Sequence, residues 1–589
     1  MKHQVHISPQ NLTIEIPDGE ILSESLNRLG IPLATYCHAR GICGKCVVEI
    51  KSGNPAPPDA LEKRLQSGRL LAPNHRLSCR LSVKNPLSIF IPDSSLVRNM
   101  PVLGASLKTA FPLMPAIAKY AFPSALIKGH DLKKTLKALF NSLEVVAAEG
   151  SEERVAAGLS RAANAGGVLT AVLHGETRLI AIEEGDTTGE IFGIAVDIGT
   201  TTVAMRLIDL STGLSLCSDY GLNSQFQYGS DVVSRLTYAY QHPDGKDRLK
   251  TAIRDLLNTM IDSLLARSGT RRDFVYEIVV AGNTAMNHFF MGEKIDTLAV
   301  YPFEPSTFFF SQDSARTAGL NLDPHCRLFV VPNIRSFVGG DITAGVTALK
   351  LPELGGNRLL MDLGTNGEIV LKAGDKLLTT STAAGPAFEG MNISCGMLAR
   401  PGAICKVWLE SGERKIETIG GEKPAGICGT GLLDLTVCLA EQGLIDGFGK
   451  IADPSRMIIV SEGIELQQKD LRQLQLAIAA VKAGVKALMR RAGLKTADLD
   501  AVYVAGAFGN YLDPGNAVKL GFLPPVDKNK LIYIGNSSLE GAAAILCSMP
   551  ERLKLRRTVA SIEHVSLSSD PGFQDLYIDA LSFEPGFFD

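Results

Sequence analysis

Four cysteines near the N-terminus are spaced as a ligand set. Cys37, Cys43 and Cys46 stand as C-x5-C-x2-C in Tyr36-Cys37-His38-Ala39-Arg40-Gly41-Ile42-Cys43-Gly44-Lys45-Cys46, and Cys79 follows in Leu77-Ser78-Cys79-Arg80. Four thiolates complete the ligand set of one [2Fe–2S] cluster. Gly41 and Gly44 give the loop the left-handed backbone it needs to wrap such a group and turn N–H groups toward sulfur. The alternatives are a zinc site or ordinary core cysteines. Zinc normally takes two close pairs, whereas Cys79 stands alone, on what reads as a strand.

A second set of residues suits phosphate chemistry. Ile194-Ala195-Val196-Asp197-Ile198-Gly199-Thr200-Thr201-Thr202-Val203 reads as a buried strand, an Asp and a tight Gly/Thr turn. Leu359-Leu360-Met361-Asp362-Leu363-Gly364-Thr365-Asn366-Gly367-Glu368-Ile369-Val370 repeats that grammar. Gly199, Thr200, Thr201 and Thr202, and likewise Gly364, Thr365 and Asn366, would offer backbone N–H groups and polar side chains to phosphate oxygens. Asp197 and Asp362 would each aim a carboxylate at the bridging Mg²⁺, through water because Mg²⁺ keeps several waters. One such turn is weak, since Gly and Thr are common in turns. Two further strands end in glycine turns, Ile278–Asn283 and Val502–Asn510. The order Asp-turn then Gly-turn therefore occurs twice, and the region reads as a duplicated fold. Gly429, within Gly426-Ile427-Cys428-Gly429-Thr430-Gly431, opens a predicted helix Leu432–Gln442. Its N-terminus suits an anion, or is an ordinary glycine-rich helix entry.

The elements that must carry these residues follow in order along 589 residues, enough for three or four domains. Residues 1–92 read as one unit: a hairpin His3–Ile7 and Leu12–Ile16, a helix Ile21–Arg28, the cysteine loop between the alternating strands Val47–Ile50 and Leu81–Val83, and a closing strand Leu87–Ile91. Residues 93–130 read as a linker broken by Pro101, Pro112, Pro115 and Pro123, either a tether or a packed segment. Residues 131–188 read as a small α/β unit with helices Asp131–Glu144 and Glu152–Ala165 and a hairpin Val168–His174/Arg178–Glu184. Residues 189–589 hold the two phosphate turns. Hydrophobic content of 45% and charged content of 21% are ordinary for a globular protein. A net charge of −3 offers no polybasic surface for nucleic acid or lipid. We expect no membrane span, because the longest charge-free apolar run in the linker is too short. We also expect no signal peptide, because the N-terminus leads straight into a strand pattern. The seven remaining cysteines, Cys217, Cys326, Cys395, Cys405, Cys428, Cys438 and Cys547, form no C-x-x-C pair and read as small buried hydrophobes. Unpaired thiols and a cluster both suggest a reducing cytoplasm.

The cysteine loop resembles β-grasp [2Fe–2S] ferredoxins, with the five-residue first gap of the adrenodoxin type. Residues 192–545 resemble the actin/Hsp70/sugar-kinase superfamily. That resemblance implies an ATP site. Asp197–Thr202 and Asp362–Glu368 match the phosphate motifs, and Gly506–Gly509 matches the adenosine motif. Gly339–Gly345 and Glu540–Ala544 match the connecting helices at the hinge. Ala384-Gly385-Pro386-Ala387-Phe388-Glu389-Gly390 falls where the superfamily lines the γ-phosphate, so Gly385 would contact nucleotide and Glu389 would orient water; a surface turn with an exposed Glu is the alternative. The whole is expected to be an α/β multidomain chain: a β-grasp ferredoxin, a linker, a small α/β domain and a duplicated actin/Hsp70-like (RNase H-like) ATPase fold.

The two ends together closely resemble the reductive activators of corrinoid proteins. That implies an ATP-hydrolysing oxidoreductase that reduces inactive Co(II) to Co(I) in a corrinoid partner of a methyltransferase system, served by an unidentified low-potential electron donor. A homodimer is compatible with this. ATP would be needed because a plant-type [2Fe–2S] centre sits near about −400 mV, and Co(I) lies lower still. Each 100 mV uphill costs about 2.3 kcal/mol per electron. The chain departs from some relatives in having no cysteine in residues 548–589. It also lacks a D-x-H-x-x-G cobalamin motif; the nearest approach, Asp323-Pro324-His325-Cys326-Arg327-Leu328, ends in Leu, so the corrinoid is expected on a partner. Two other classes remain open: a small-molecule kinase with a regulatory cluster, and an ATP-binding redox sensor.

Overall fold

A computed structural model describes residues 2–28, 31, 33, 46–67, 71–92, 95, 111–124, 146–148, 151–165, 167–175, 178–311, 314–453, 457–506 and 512–588. The expected helix Asp131–Glu144 and most of the cysteine loop lie outside the described residues.

The N-terminal unit is a five-stranded sheet. Its strands are β1 (Lys2–Ser8), β2 (Leu12–Pro17), β3 (Val47–Gly53), β4 (His75–Leu77) and β5 (Leu87–Phe90), in the order β2-β1-β5-β3-β4. Alternation puts Val5, Ile7, Ile14, Ile16, Val48 and Ile89 on one face, where the helix Leu22–Arg28 covers them with Leu22 and Leu26. Two expectations are corrected here. Leu81–Val83 is buried at alternate residues but joins no ladder; its backbone bonds go to Gly19, Glu20 and Leu22 at the helix entry. Cys79 lies in a turn after β4, closed by Arg80 N–H on Leu77 O, and not on a strand.

A four-stranded sheet follows: β6 (Ile117–Pro123), β7 (Val146–Ala147), β8 (Val168–His174) and β9 (Arg178–Glu184), in the order β6-β8-β9-β7. The hairpin β8/β9 and the helix Glu152–Ala165 have the expected bounds. Gly158 lets that helix close on β9, since a Cβ there would sit 2.3 Å from Ile182 O. The strand β6 falls in the stretch read as linker. Prolines masked it, yet an edge strand tolerates a proline at its end. Its Lys119 is buried against β9 and the next sheet: Nζ donates to Glu183 (2.8 Å) and lies over the Phe274 and Tyr276 rings. Glu183 also accepts from the Tyr276 hydroxyl. The near-motif Asp323/His325 is tied to the same corner by Arg154, whose Nη1 is 2.8 Å from His325 Nδ1 and 3.2 Å from Asp323 Oδ1.

The remainder is a fold used twice. The first sheet contains β10 (Phe192–Ile198), β11 (Thr202–Asp209), β12 (Ser215–Leu222), β13 (Val275–Gly282) and β14 (Arg327–Val330), in the order β12-β11-β10-β13-β14. The second contains β15 (Arg358–Leu363), β16 (Gly367–Ala373) and β17 (Lys376–Thr382). A small sheet of β18 (Ala403–Glu410), β19 (Glu413–Thr418) and β20 (Gly426–Ile427) and a hairpin of β21 (Ile458–Ser461) and β22 (Ile464–Leu466) are inserted before β23 (Ala501–Ala505), β24 (Leu531–Gly535) and β25 (Ile562–His564). The order β24-β23-β15-β16-β17 mirrors the first sheet, with antiparallel hairpins on one side and parallel strands on the other. The central parallel strand β23 reads as an unbroken apolar run because both its faces are covered. Between the lobes the helices Gly340–Ala348 and Ser537–Cys547 cross so closely that a Cβ on Gly541 would lie 1.9 Å from Ala344 O.

Candidate functional site

The strand ends of the two lobes face one cavity of about 230 Å³. On one side β10 delivers Asp197 and turns through Gly199, Thr200 and Thr201 into β11. On the other, β15 delivers Asp362 and turns through Gly364, Thr365 and Asn366 into β16. All of these residues and Thr202 line the cavity. The ladder sets Asp362 directly opposite Glu368, which puts both carboxylates on the cleft face. Asp341, in the first turn of the helix Gly340–Ala348, makes a fourth acid on the wall.

Like charges paired across strands are destabilising, and here burial compounds the cost. Desolvation, then the neighbouring Asp197, pushes the Asp362 carboxyl up to about 7. Burial raises Asp197. Burial followed by Asp362 and Asp197 raises Asp341 well above the usual carboxylate range, and burial followed by Asp341 and Asp362 does the same to Glu368. Such a group is balanced by protons or by a cation. Among the described residues no three acids, imidazoles or thiols gather closely enough to ligate one ion directly. A hydrated ion, reached through water, fits this spacing.

The second crossing helix orients the acids. Asn536 Nδ2 and Ser538 Oγ donate to Asp197 (2.8 and 2.7 Å), and Ser537 Oγ donates to Asp362 (3.2 Å). Asn283 Nδ2, at the end of β13, donates to Thr200 Oγ1 (3.0 Å). Glu389 is drawn inward by the short helical turn Pro386–Glu389 and is not an exposed surface residue. Thr201 Oγ1 and Thr365 Oγ1 both donate to its Oε2, at 2.6 and 2.9 Å. One carboxylate oxygen therefore joins the turns of opposite lobes.

The other expected contacts divide. Gly429 and Thr430 line the cavity at the start of the helix Gly429–Glu441, beside Cys428. Gly506 lines it with φ +96°, and a Cβ there would lie 2.5 Å from Leu363 O. Gly509 lies outside the described residues. Gly385 is not among the lining residues; at φ +75° it starts the turn that carries Glu389 inward. Reading by motif missed Asp341, Asn283, Asn536, Ser538 and the apolar wall of Leu398, Ala399, Pro401 and Ile419. Asp341 lies within Gly339–Gly345, the segment matched to a hinge helix, and its acid is the available signal.

Beside the N-terminal sheet, Cys46 and Cys79 are buried and place their sulfurs 3.2 Å apart. Two thiols this close can share one metal ion, which fits the donor set of an iron–sulfur group. Cys37 and Cys43 lie outside the described residues. The turn bearing Cys79 is held by a buried ion pair: Arg76 Nε and Nη2 donate to Glu62 (3.0 and 2.8 Å), and Leu77 N–H donates to the same carboxylate (2.9 Å). No helix among the described residues is long and apolar enough to cross a membrane.

Comparison with known proteins supplies three family matches. Residues 5–84 match the 2Fe-2S iron-sulfur cluster binding domain, residues 192–353 the RACo middle region, and residues 356–586 the C-terminal domain of RACo, the ASKHA domain. The boundary between the last two falls between the two duplicated lobes. The chain is 29% identical to the corrinoid activation enzyme RamQ of Eubacterium limosum over 96% of both chains. It is 29% identical to the [Co(II) methylated amine-specific corrinoid protein] reductase of Methanosarcina barkeri, over 67% of this chain and 77% of that one. The solved structure of a reductive activator for corrinoid, iron-sulfur protein superposes with a TM-score of 0.73 at 30% identity, covering 99% of this chain and 98% of that one.

Proposed function

Because the chain belongs to the reductive activators of corrinoid proteins, we propose that it couples MgATP hydrolysis to the reduction of inactive Co(II) to Co(I) in a partner corrinoid protein of a methyl-transfer system. The observation that carries this is the separation of two sites in one chain. A two-lobed cleft bears paired phosphate turns and five acids, and two buried cysteines meet beside the N-terminal sheet. A kinase needs only the first, and a ferredoxin only the second.

The roles follow from position. Thr200, Thr201, Thr202, Thr365 and Asn366, with the backbone of Gly199 and Gly364, would take the phosphate oxygens. Asp197 and Asp362 would orient the waters of Mg²⁺, aided by Asp341 and Glu368. Gly506 and Gly509 would give the adenosine a flat backbone surface, and Gly429 would present a helix N-terminus. Cys37, Cys43, Cys46 and Cys79 would hold a [2Fe–2S] cluster, which supplies one-electron redox chemistry when bound. The close helix crossing lets the lobes move as rigid bodies. If the closed form binds the Co(II) partner better, nucleotide and partner tighten each other's binding by the same factor.

The test is an anaerobic assay of Co(II) loss and Co(I) gain in candidate corrinoid proteins, with a low-potential donor, with and without MgATP, alongside partner titrations. The reading expects ATP-dependent Co(I) and reciprocal tightening. If nucleotide leaves partner affinity unchanged and the partner leaves hydrolysis unchanged, ATP is not coupled to electron delivery.

A further inference from the structure

We propose that Glu389 is an internal competitor of the terminal phosphate: its carboxylate takes the two threonine hydroxyls that ATP, but not ADP, must claim. This rests on the nucleotide reading of the cleft and goes beyond it, since it has Glu389 narrow the preference for ATP over ADP rather than activate water.

The geometry is a triangle of oxygens. Thr201 Oγ1 and Thr365 Oγ1 are 2.9 Å apart, and Glu389 Oε2 lies 2.6 Å from the first and 2.9 Å from the second. Each threonine hydroxyl has a single proton. Both are spent if both point at Glu389, so the hydroxyls then approach one another without a bond of their own. Thr201 comes from the turn after β10 and Thr365 from the turn after β15. A nucleotide whose phosphates run between these turns brings its last phosphate to the same point. Carboxylate and phosphate are both anions that accept from these hydroxyls, and a single oxygen position cannot hold both.

A buried cation behind the first turn favours whichever anion is there. Arg235 is fully buried, and its guanidinium donates to neutral acceptors: Thr200 O (2.6 Å), Gly229 O (2.8 Å) and Gln225 Oε1 (3.2 Å). The first of these is in the phosphate turn itself. Burial is the main force on the charge of Arg235, and Asp231 and Glu389 are the carboxylates that oppose it. Replacing Glu389 by a phosphate keeps this balance. ADP, one phosphate shorter, lacks the group for that exchange.

The experiment measures Kd for MgATP and MgADP by calorimetry, and kcat for hydrolysis, on the full chain and on Glu389→Ala and Glu389→Gln. The ratio of ADP to ATP Kd should rise about tenfold or more in the Ala variant, tenfold being 1.4 kcal/mol, and less in the Gln variant, which keeps an acceptor but loses the charge. A water-orienting base alone would lower kcat in both variants and leave the ratio where it was; that result overturns the proposal. Folding of each variant is secured by its retained ADP binding. A parent chain that binds neither nucleotide overturns the nucleotide reading and this inference with it. Binding of both with an unchanged ratio overturns this inference alone.

Discussion

Gly541→Ala tests how closely the two lobes are joined. The added Cβ would lie 1.9 Å from Ala344 O, 2.3 Å from its carbonyl carbon and 2.7 Å from its Cα. All three are backbone atoms of a packed helix, so no side chain can swing away. Contacts under 3.0 Å are essentially never adopted by real Cβ atoms, so the helices must part by about 1.1 Å, the difference between 3.0 and 1.9. Overpacking of this kind costs about 1–3 kcal/mol. For lobes of this size each kcal/mol lowers Tm by roughly 2–4 °C, so the transition of the two lobes should fall by roughly 2–12 °C in calorimetry. The same shift pulls Asn536 and Ser538 away from Asp197, whose bonds of 2.8 and 2.7 Å leave little slack. Hydrogen bonds to charged groups contribute about 1.5–3 kcal/mol, so MgATP affinity should drop at least about tenfold. Gly345→Ala is the matched control. Its Cβ comes closer than 3.0 Å only to Ser537 Oγ, at 2.8 Å, a side-chain atom that can turn aside by giving up its 3.2 Å bond to Asp362, so Tm should fall less than in Gly541→Ala. If Gly541→Ala melts and binds nucleotide as the parent does, the close crossing is not what sets the cleft.

The remaining tests are shorter. Cys79→Ser should lose the reduced-state EPR signal and about half or more of the bound iron while keeping MgATP binding, because thiols and cleft lie in different units; an unchanged signal would remove Cys79 from the ligand set. Asp197→Asn and Asp362→Asn should each slow MgATP hydrolysis by roughly 100-fold or more, in line with the loss of one preorganised polar group, and parent-like turnover in both would place the metal elsewhere. Glu62→Gln leaves Arg76 buried without its counter-charge and should cost about 3–5 kcal/mol of ferredoxin-unit stability, read by denaturant melts of the reconstituted protein; a shift below about 1 kcal/mol would make the pair dispensable. His564 supplies a pH test. Burial, then Arg335, pushes it down to about 4. The native state therefore holds fewer protons than the unfolded one between about pH 6.5 and 4, so the stability it contributes is present above pH 6.5 and lost as pH falls through that window. The loss is on the order of 3 kcal/mol, and His564→Phe should flatten the acid side of the Tm–pH curve. A curve of unchanged slope would refute the assignment.

The strands and turns of this protein were legible because their signals are local. The hairpins β1/β2 and β8/β9, the helix Glu152–Ala165 and the two Asp–Gly–Thr turns are each written within a few residues, by alternation, periodicity or turn chemistry. Repetition of the turn grammar was enough to foresee a duplicated fold, and the cysteine spacing agrees with the match of residues 5–84 to a 2Fe-2S iron-sulfur cluster binding domain. Local signals failed where a neighbour distant in sequence set the outcome. Leu81–Val83 alternates like a strand but finds its partners at a helix entry. Ile117–Pro123 looks like a broken linker but has an edge to join, and its Lys119 is buried only because Glu183 and two aromatic rings meet it there. The cleft depended on tertiary structure most of all. Asp341 becomes a fourth acid because two glycine-lined helices cross in backbone contact, and Glu389 joins Thr201 to Thr365 only when the lobes face each other. Periodicity says which face of an element is buried, but it carries no record of which buried charges will meet. That is decided by packing, once the hydrophobic faces have chosen their partners.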